Sequence, residues 1–268
     1  MSPSRSSAVE AALRRSRHLT AHQHHASVTS TNDVALAEVA AGMPLGLVVT
    51  ADRQTAGRGR HGRTWIDDLT GPTGPANLAV SVVVPLPPRA AGLTPLAAGL
   101  AVHAAYGAAG AAPELKWPND VLLAGRKAAG ILVERHASQA GDVLVIGCGL
   151  DLDWRGVKRA GGAVDWTSLA EVLDRDVDRA EVLAALLSAL DAELSALEDP
   201  TDLVSRYRER CSTLSSPVEV SLPDGSVLEG VAVDVDADGL LVVETATGRT
   251  TVRAGDVRVR PAPPGVLG

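Results

Sequence analysis

Residues 114–134 read ELKWPNDVLLAGRKAAGILVE. Three short runs that read as strands lie close together here: Glu114–Trp117, Val121–Ala124 and Ala129–Glu134. Pro118-Asn119-Asp120 between the first two is ordinary turn chemistry. Strands this close pair as neighbouring hairpins, so the sheet is mixed rather than all parallel. Outward from this stretch, Val143–Gly147, Asn77–Val84 and Leu45–Ala51 read as further strands, the second ended by Pro85-Leu86-Pro87-Pro88. Helices alternate with them. Ser30 reads as the N-cap of a helix Asn32–Ala41 closed by Gly42. Thr94-Pro95 opens an Ala-rich helix that ends near Gly110. Asp178-x-x-Glu181 is a capping box for Arg179–Leu197, whose Val182, Leu183, Leu186, Leu187, Leu190, Leu194 and Leu197 form one stripe. Asp199-Pro200 stops it. After Ser212 short alternating runs follow (218–222, 227–235, 240–245 and 250–252), with turn signals at Asp224-Gly225, Asp238-Gly239 and Thr247-Gly248. The expectation is an α+β fold: a mixed β-sheet flanked by helices, then a small C-terminal SH3-like β-barrel.

The 268 residues are 46% hydrophobic and 21% charged, with 26 Gly and 16 Pro. These values exclude a disordered chain, a collagen-like repeat and a coiled coil. Phe is absent, so the core must rest on Val, Leu, Ile and Ala. Net charge is −7 and the pI about 5.5, which removes a global basic footprint for nucleic acid or an anionic membrane. Lys116, Lys127 and Lys158 are the three lysines among 25 cations. Each is of interest, because Lys can give up its proton and Arg cannot. Cys148 and Cys211 form neither a disulfide framework nor a CxxC zinc pair. No signal-peptide run and no 18-residue apolar span occurs, and a cytoplasmic protein is expected.

Gly57-Arg58-Gly59-Arg60-His61-Gly62 matches the GxGxxG pattern. The residues that follow do not open an apolar-periodic helix, as a dinucleotide fingerprint requires. The alternation reads instead as a flexible loop of guanidinium groups. Arg forks match phosphate oxygens, and glycines let backbone approach an anion. Clustering of Arg58, Arg60 and Arg63 in an acidic chain favours a functional loop over a solvated one. Lys127 begins a strand, and Gly130 permits close approach of a ligand.

Taken in order, Ser30-Thr31-Asn32, Gln54-Thr55-Ala56-Gly57-Arg58-Gly59-Arg60, Lys116-Trp117-Pro118-Asn119-Asp120 and Lys127-Ala128-Ala129-Gly130-Ile131-Leu132-Val133-Glu134 resemble the biotin–protein ligases. Four motifs in this order and spacing are far more specific than any one alone. The resemblance runs from about Ser30 to Leu169 and more loosely through the barrel. Residues 1–28 are too short for a winged-helix DNA reader, so the chain looks like the monofunctional type.

The resemblance implies a sheet akin to that of class II aminoacyl-tRNA synthetases, and a two-step reaction. Biotin and Mg-ATP would give biotinyl-5′-adenylate and pyrophosphate. The biotinyl group would then pass to a lysine of a biotin carboxyl carrier domain of biotin-dependent carboxylases, such as acetyl-CoA carboxylase. Lys127, Arg60 and Asp120 are implied as catalytic. Ser30, Thr31, Asn32, Gln54, Gly57, Arg58, Gly59, Arg60, Lys127 and Gly130 are implied for biotin, with Ile131–Val133 lining its pocket. Arg58, Arg60, Arg63, Trp65, Asn119, Lys127, Asp151 and the region to Leu169 are implied for ATP and the adenylate. The substrates and cofactors implied are biotin, ATP and Mg²⁺, with no protein metal site, no DNA and no membrane partner. The division implied is a tail 1–28, a catalytic domain 29–212, an SH3-like domain 213–262 and a tail 263–268. The barrel would support catalysis or carrier docking. Asp151 stands where the family usually has Asn; it would either accept from the nucleotide or face solvent at a strand end.

Other patterns read as ordinary structure. Asp234-x-Asp236-x-Asp238-Gly239 copies the start of a calcium loop, but Thr245 holds the twelfth position, so a hairpin turn is expected. His18, His22, His24 and His25 read as a solvated or disordered patch, and Cys148 as a buried structural thiol. His61 could meet phosphate from the loop. The rivals are a lipoate or octanoate ligase or transferase of the same fold, and a nucleic-acid module using Arg58–Arg63. The polar set around Ser30 and Gln54 opposes the first, and the net charge opposes the second.

Overall fold

The computed structural model describes residues 3–65, 69–87, 90–138, 141–157, 166–222, 225–253 and 256–259. Lys158, Asp224, Pro88 and the tail 263–268 lie outside the described residues. In chain order the first half holds α1 (Pro3–Arg15), β1 (Ala21–His25), α2 (Thr31–Ala40), β2 (Leu47–Ala51), the short pair β3 (Thr70–Gly71) and β4 (Gly74–Pro75), β5 (Asn77–Pro85) and α3 (Thr94–Ala108). Next come β6 (Pro113–Lys116), β7 (Asp120–Leu123), β8 (Arg126–Ser138), β9 (Gly141–Asp151), α4 (Leu169–Leu173), α5 (Arg179–Ala196) and α6 (Thr201–Arg210). Strands β10 (Pro217–Ser221), β11 (Val227–Val235), β12 (Leu241–Thr245), β13 (Gly248–Val252) and β14 (Asp256–Val259) close the chain.

Seven strands form the main sheet in the order β1-β2-β5-β9-β8-β7-β6. Only β1 and β2 run parallel, so the sheet is mixed as the hairpin spacing predicts. Alternation sorts its two faces. Val48, Val80, Val82, Leu144 and Ile146 face the large core shared with α3 and α5. Leu47, Val49, Val83, Val143 and Val145 face a smaller core under α2 with Ala35. The last five strands form one antiparallel sheet, β13-β12-β11-β10-β14, consistent with an SH3-like fold. Val218, Val220, Ala232 and Val243 join the large core, so apolar packing is continuous from one sheet to the other. Asp236 Oδ1 accepts from the backbone of Asp238 and Leu240, which makes the calcium-like sequence a hairpin turn.

The polar N-terminus departs from expectation. Residues 3–25 are not a tail: Val9, Ala12 and Leu19 are buried in the large core, and α1 packs on α5. Asp191 Oδ1 on α5 accepts from Ser16 Oγ (2.5 Å), Arg17 N (2.9 Å) and His18 N (2.8 Å), which ends α1 at a fixed place. His22, His24 and His25 are not a solvated patch but part of edge strand β1, in register with β2. Two other boundaries move. Strands β8 and β9 form a longer hairpin than the apolar runs indicate. Ser30 stands at the N-cap of α2, but its side chain makes no capping bond. Among the described residues no helix is long and apolar enough to cross a membrane.

Candidate functional site

A cavity of about 960 Å³ opens on the α2 side of the main sheet. Its floor follows from strand register. Gly149 faces Ala79 on β5 and Gly130 on β8, while Gly147 faces Ser81 and Leu132. Directly opposed residues point to one face, so small residues on three neighbouring strands leave a trough. The glycines are required. A Cβ on Gly147 would run into Asn32 Oδ1, and one on Gly149 into the Trp65 indole. A Cβ on Gly130 would lie 2.8 Å from Trp65 Cζ3.

The start of α2 and the end of β2 make one end of the trough polar. Gln54 Oε1 accepts from Thr31 N (2.8 Å) and Thr31 Oγ1 (3.0 Å). Ser81 Oγ lies 2.7 Å from Thr31 Oγ1 and donates to Asn32 Oδ1 at 2.6 Å. Asn32 Nδ2 donates to Glu134 Oε2 at 2.7 Å. Ser30, Thr31, Asn32 and Ser81 are all buried. This end presents fixed donors and acceptors, preorganised by one another.

The other end is cationic. Lys127 Nζ lies 2.6 Å from Asp120 Oδ1 and over two indole rings, 5.6 Å from the Trp65 centroid and 5.1 Å from that of Trp166. Arg60 donates to Asn119 Oδ1 at 3.1 Å, and Asn119 is itself pinned to the Ile131 backbone on both sides. Arg63, Lys116 and Arg258 also line the cavity. Burial lowers the Lys116 pKa; Asp120 raises it, while Lys127, Arg63 and Arg258 lower it further. Burial likewise lowers that of Arg60. Such crowding of like charge calls for an anionic ligand. Trp65 Nε1 is buried with no hydrogen-bond partner among the described residues, a donor that a ligand acceptor would satisfy. Trp166 stacks on Trp154 at 5.9 Å and 7°. Ser168 and Glu171 form the capping box that opens α4 behind these rings.

The loop 57–63 is not a helix opening. Gly57 O accepts from Trp65 N (2.9 Å), and Gly59 N donates to Arg63 O (2.7 Å), closing a tight turn over Arg60–Gly62. His61 sits in the left-handed region at φ 56°. A Cβ on Gly57 would lie 2.8 Å from Trp65 O, so its role is to let two backbone segments touch rather than to line the cavity.

Of the residues named from the sequence, Ser30, Thr31, Asn32, Gln54, Arg58, Gly59, Arg60, Arg63, Trp65, Asn119, Asp120, Lys127 and Gly130 come together around this one cavity. Besides Gly57, which does not line the cavity, two expectations change. Asp151 is fully buried, so it does not face solvent, and it is not among the residues that line the cavity. Its backbone carbonyl accepts from the buried Tyr106 hydroxyl at 3.3 Å, and burial with the Asp151 charge raises that phenol's pKa. Arg58 lines the cavity, but its guanidinium is engaged with Asp33 and Glu134. Two cationic lining groups, Lys116 and Arg258, carry no role implied by the motifs, whereas Trp166 falls in the region to Leu169 implied for the nucleotide. The rarity of lysine marked Lys116. Arg258 comes from the barrel, where no local motif marks it. Cys148 is a buried thiol pushed up to about 12 by desolvation, as a structural cysteine would be.

A profile of the Biotin/lipoate A/B protein ligase family matches residues 23–151, and one of the Biotin protein ligase C terminal domain matches 213–260. The chain is 39% identical to the biotin--[acetyl-CoA-carboxylase] ligase of Mycobacterium tuberculosis over 243 residues, covering 87% of this chain and 86% of that protein. It is 33% identical to the ligase of the same name from Paracoccus denitrificans, covering 87% and 98%. The biotin protein ligase of Aquifex aeolicus, solved with biotin and ATP, superposes with a TM-score of 0.74 at 25% identity, covering 91% of this chain and all of that one.

Proposed function

The chain belongs to the biotin/lipoate A/B protein ligase family, and from that premise we propose that it joins biotin to a carrier-protein lysine through biotinyl-5′-adenylate. The observation that carries this reading is one trough with a buried polar end at Thr31 and Gln54 and a cationic end at Lys127, Arg60 and Lys116. Biotin's ureido ring needs fixed donors and acceptors, and the polar end offers them. A lipoyl or octanoyl head is apolar and would displace water from that polar end without offering it hydrogen bonds in return. That disfavours the lipoate alternative.

In the first step a biotin carboxylate oxygen attacks the α-phosphorus of ATP, the bond to the β-phosphate oxygen breaks, and pyrophosphate leaves. Two anions must approach, so catalysis is mainly charge stabilisation. Lys127 is suited to the meeting point of carboxylate and α-phosphate, with Asp120 orienting its ammonium at 2.6 Å. Arg60, held by Asn119, and Lys116 suit the departing phosphates. In the second step a neutral lysine amine attacks the adenylate carbonyl, the bond to AMP breaks, and the nitrogen loses a proton. Trp65 and the turn 57–63 would keep water from the mixed anhydride until then.

Mg²⁺ belongs with the nucleotide in this reading. Among the described residues no three His, Cys, Asp or Glu side chains are grouped to hold a metal ion, so the ion would be held chiefly by phosphate oxygens. The acceptor would be a lysine of a biotin carboxyl carrier domain, and a reaction that consumes ATP fits a cytoplasmic setting. Pyrophosphate release with biotin, lipoate or octanoate in turn tests the acid specificity. Release with biotin alone is expected; release with lipoate or octanoate and none with biotin would overturn the reading.

A further inference from the structure

Two arginines of the same loop keep different company. Arg60 faces the cationic end, whereas Arg58 forms a two-pronged fork on Asp33: NH1 donates to Oδ2 at 2.7 Å and NH2 to Oδ1 at 2.8 Å. NH2 also donates to Glu134 Oε2 at 3.1 Å. Asp33 lies in the first turn of α2 and Glu134 on β8, so this one guanidinium ties the loop to a helix and a strand. Two carboxylates against one cation leave local negative charge, which repels phosphate. Glu134 does a second thing: its Oε2 accepts from Asn32 Nδ2, and Asn32 Oδ1 accepts from Ser81, beside Thr31 and Gln54. Asn32 lies flat on the floor, over Gly147, which has no room for a side chain.

We propose that Arg58 is a positioning residue and not a ligand group: the Asp33–Arg58–Glu134 cluster is a latch that holds the loop closed and, through Asn32, sets the polar end of the pocket. The inference rests on the biotin reading of that end. It makes biotin affinity and loop closure a single property, because Glu134 serves Arg58 and Asn32 together. Bidentate geometry makes the latch directional, so a lysine at 58 could not replace it.

Asp33→Asn tests this, since Asp33 is exposed and the change keeps its size. Loop cleavage by trypsin, measured without substrates, should speed up, and the biotin KM should rise about fivefold, the equivalent of about 1 kcal/mol for one partly exposed pair. The ATP KM and kcat should stay within about twofold, the scatter of such comparisons. Asp33→Glu should restore both readings. In the Asp33→Asn/Arg58→Ala double variant the biotin KM should be no worse than in Arg58→Ala alone. Unchanged cleavage and biotin KM in Asp33→Asn, or effects that multiply in the double variant, would overturn the latch. So would an Arg58→Ala variant whose ATP KM moves more than its biotin KM. Pyrophosphate release by the unsubstituted protein is read alongside. If biotin elicits none, the functional reading fails, while the substrate-free cleavage still decides the latch.

Discussion

Lys127 is held by three groups of different kinds: the Asp120 carboxylate and the faces of Trp65 and Trp166. This arrangement restrains a flexible side chain while leaving its charge available to an anion. Lys127→Ala should lower adenylate formation by about 10²-fold or more, the scale of losing one oxyanion-type donor. Pyrophosphate release at near the unsubstituted rate would refute that role. At this scale the legible residues were those in short motifs with a chemical reason to be there, such as Thr31, Gln54, Arg60 and Asn119. What stayed hidden depends on partners remote in sequence. Arg58 and Glu134 are 76 residues apart, and nothing in the loop foretells that pairing. Asp151 is fully buried at the end of β9, a burial that no local comparison foretells.

Strand β1 is the element least legible beforehand, because Ala21-His-Gln-His-His carries no apolar alternation. An edge strand needs little of it, and polar edge residues discourage pairing with other chains. Two of its histidines contact neighbouring polar groups. His22 Nε2 lies 2.8 Å from Thr50 Oγ1, and His24 Nε2 lies 3.3 Å from Asp52, which also pairs with Arg179 at the start of α5. Burial and the nearby His24 lower the His22 pKa below its ordinary value of 6.5. A histidine with a lowered folded pKa adds stability that is fully present above the unfolded pKa of about 6.5 and is lost as pH falls through the folded value. Thermal midpoints of the unsubstituted protein should therefore fall as pH drops below about 6.5, and His22→Asn should flatten that fall. Identical pH profiles would show that β1 is not the acid-sensitive element. Helix α6 is hidden for a related reason: it begins directly after the Asp199-Pro200 stop, with Pro200 as its N-cap, and Leu203, Val204 and Tyr207 mark its buried side.

At the scale of the whole chain, the two sheets act as one body. Trp117 Nε1, from the KWPND motif, donates to Gly239 O in the β11–β12 turn at 2.9 Å. Leu93 and Leu96 pack against that same glycine. Ser221, Val257, Arg258 and Val259 bring the C-terminal sheet into the cavity wall. Composition and turn spacing made the barrel legible as a separate unit; its share in the site was not, since the contact exists only after docking. Arg258→Ala should raise the ATP KM several-fold, more at low than at high salt, with the biotin Kd unchanged, as loss of an exposed cation near phosphate implies. An unchanged ATP KM would confine the barrel to a structural or carrier-docking part. The central claim concerns the product. A biotin carboxyl carrier domain incubated with this protein, biotin and Mg-ATP should gain the mass of one biotinyl group on its acceptor lysine, with AMP and pyrophosphate formed in equal amounts. A carrier that gains no mass, or gains it only when lipoate or octanoate replaces biotin, would contradict the account.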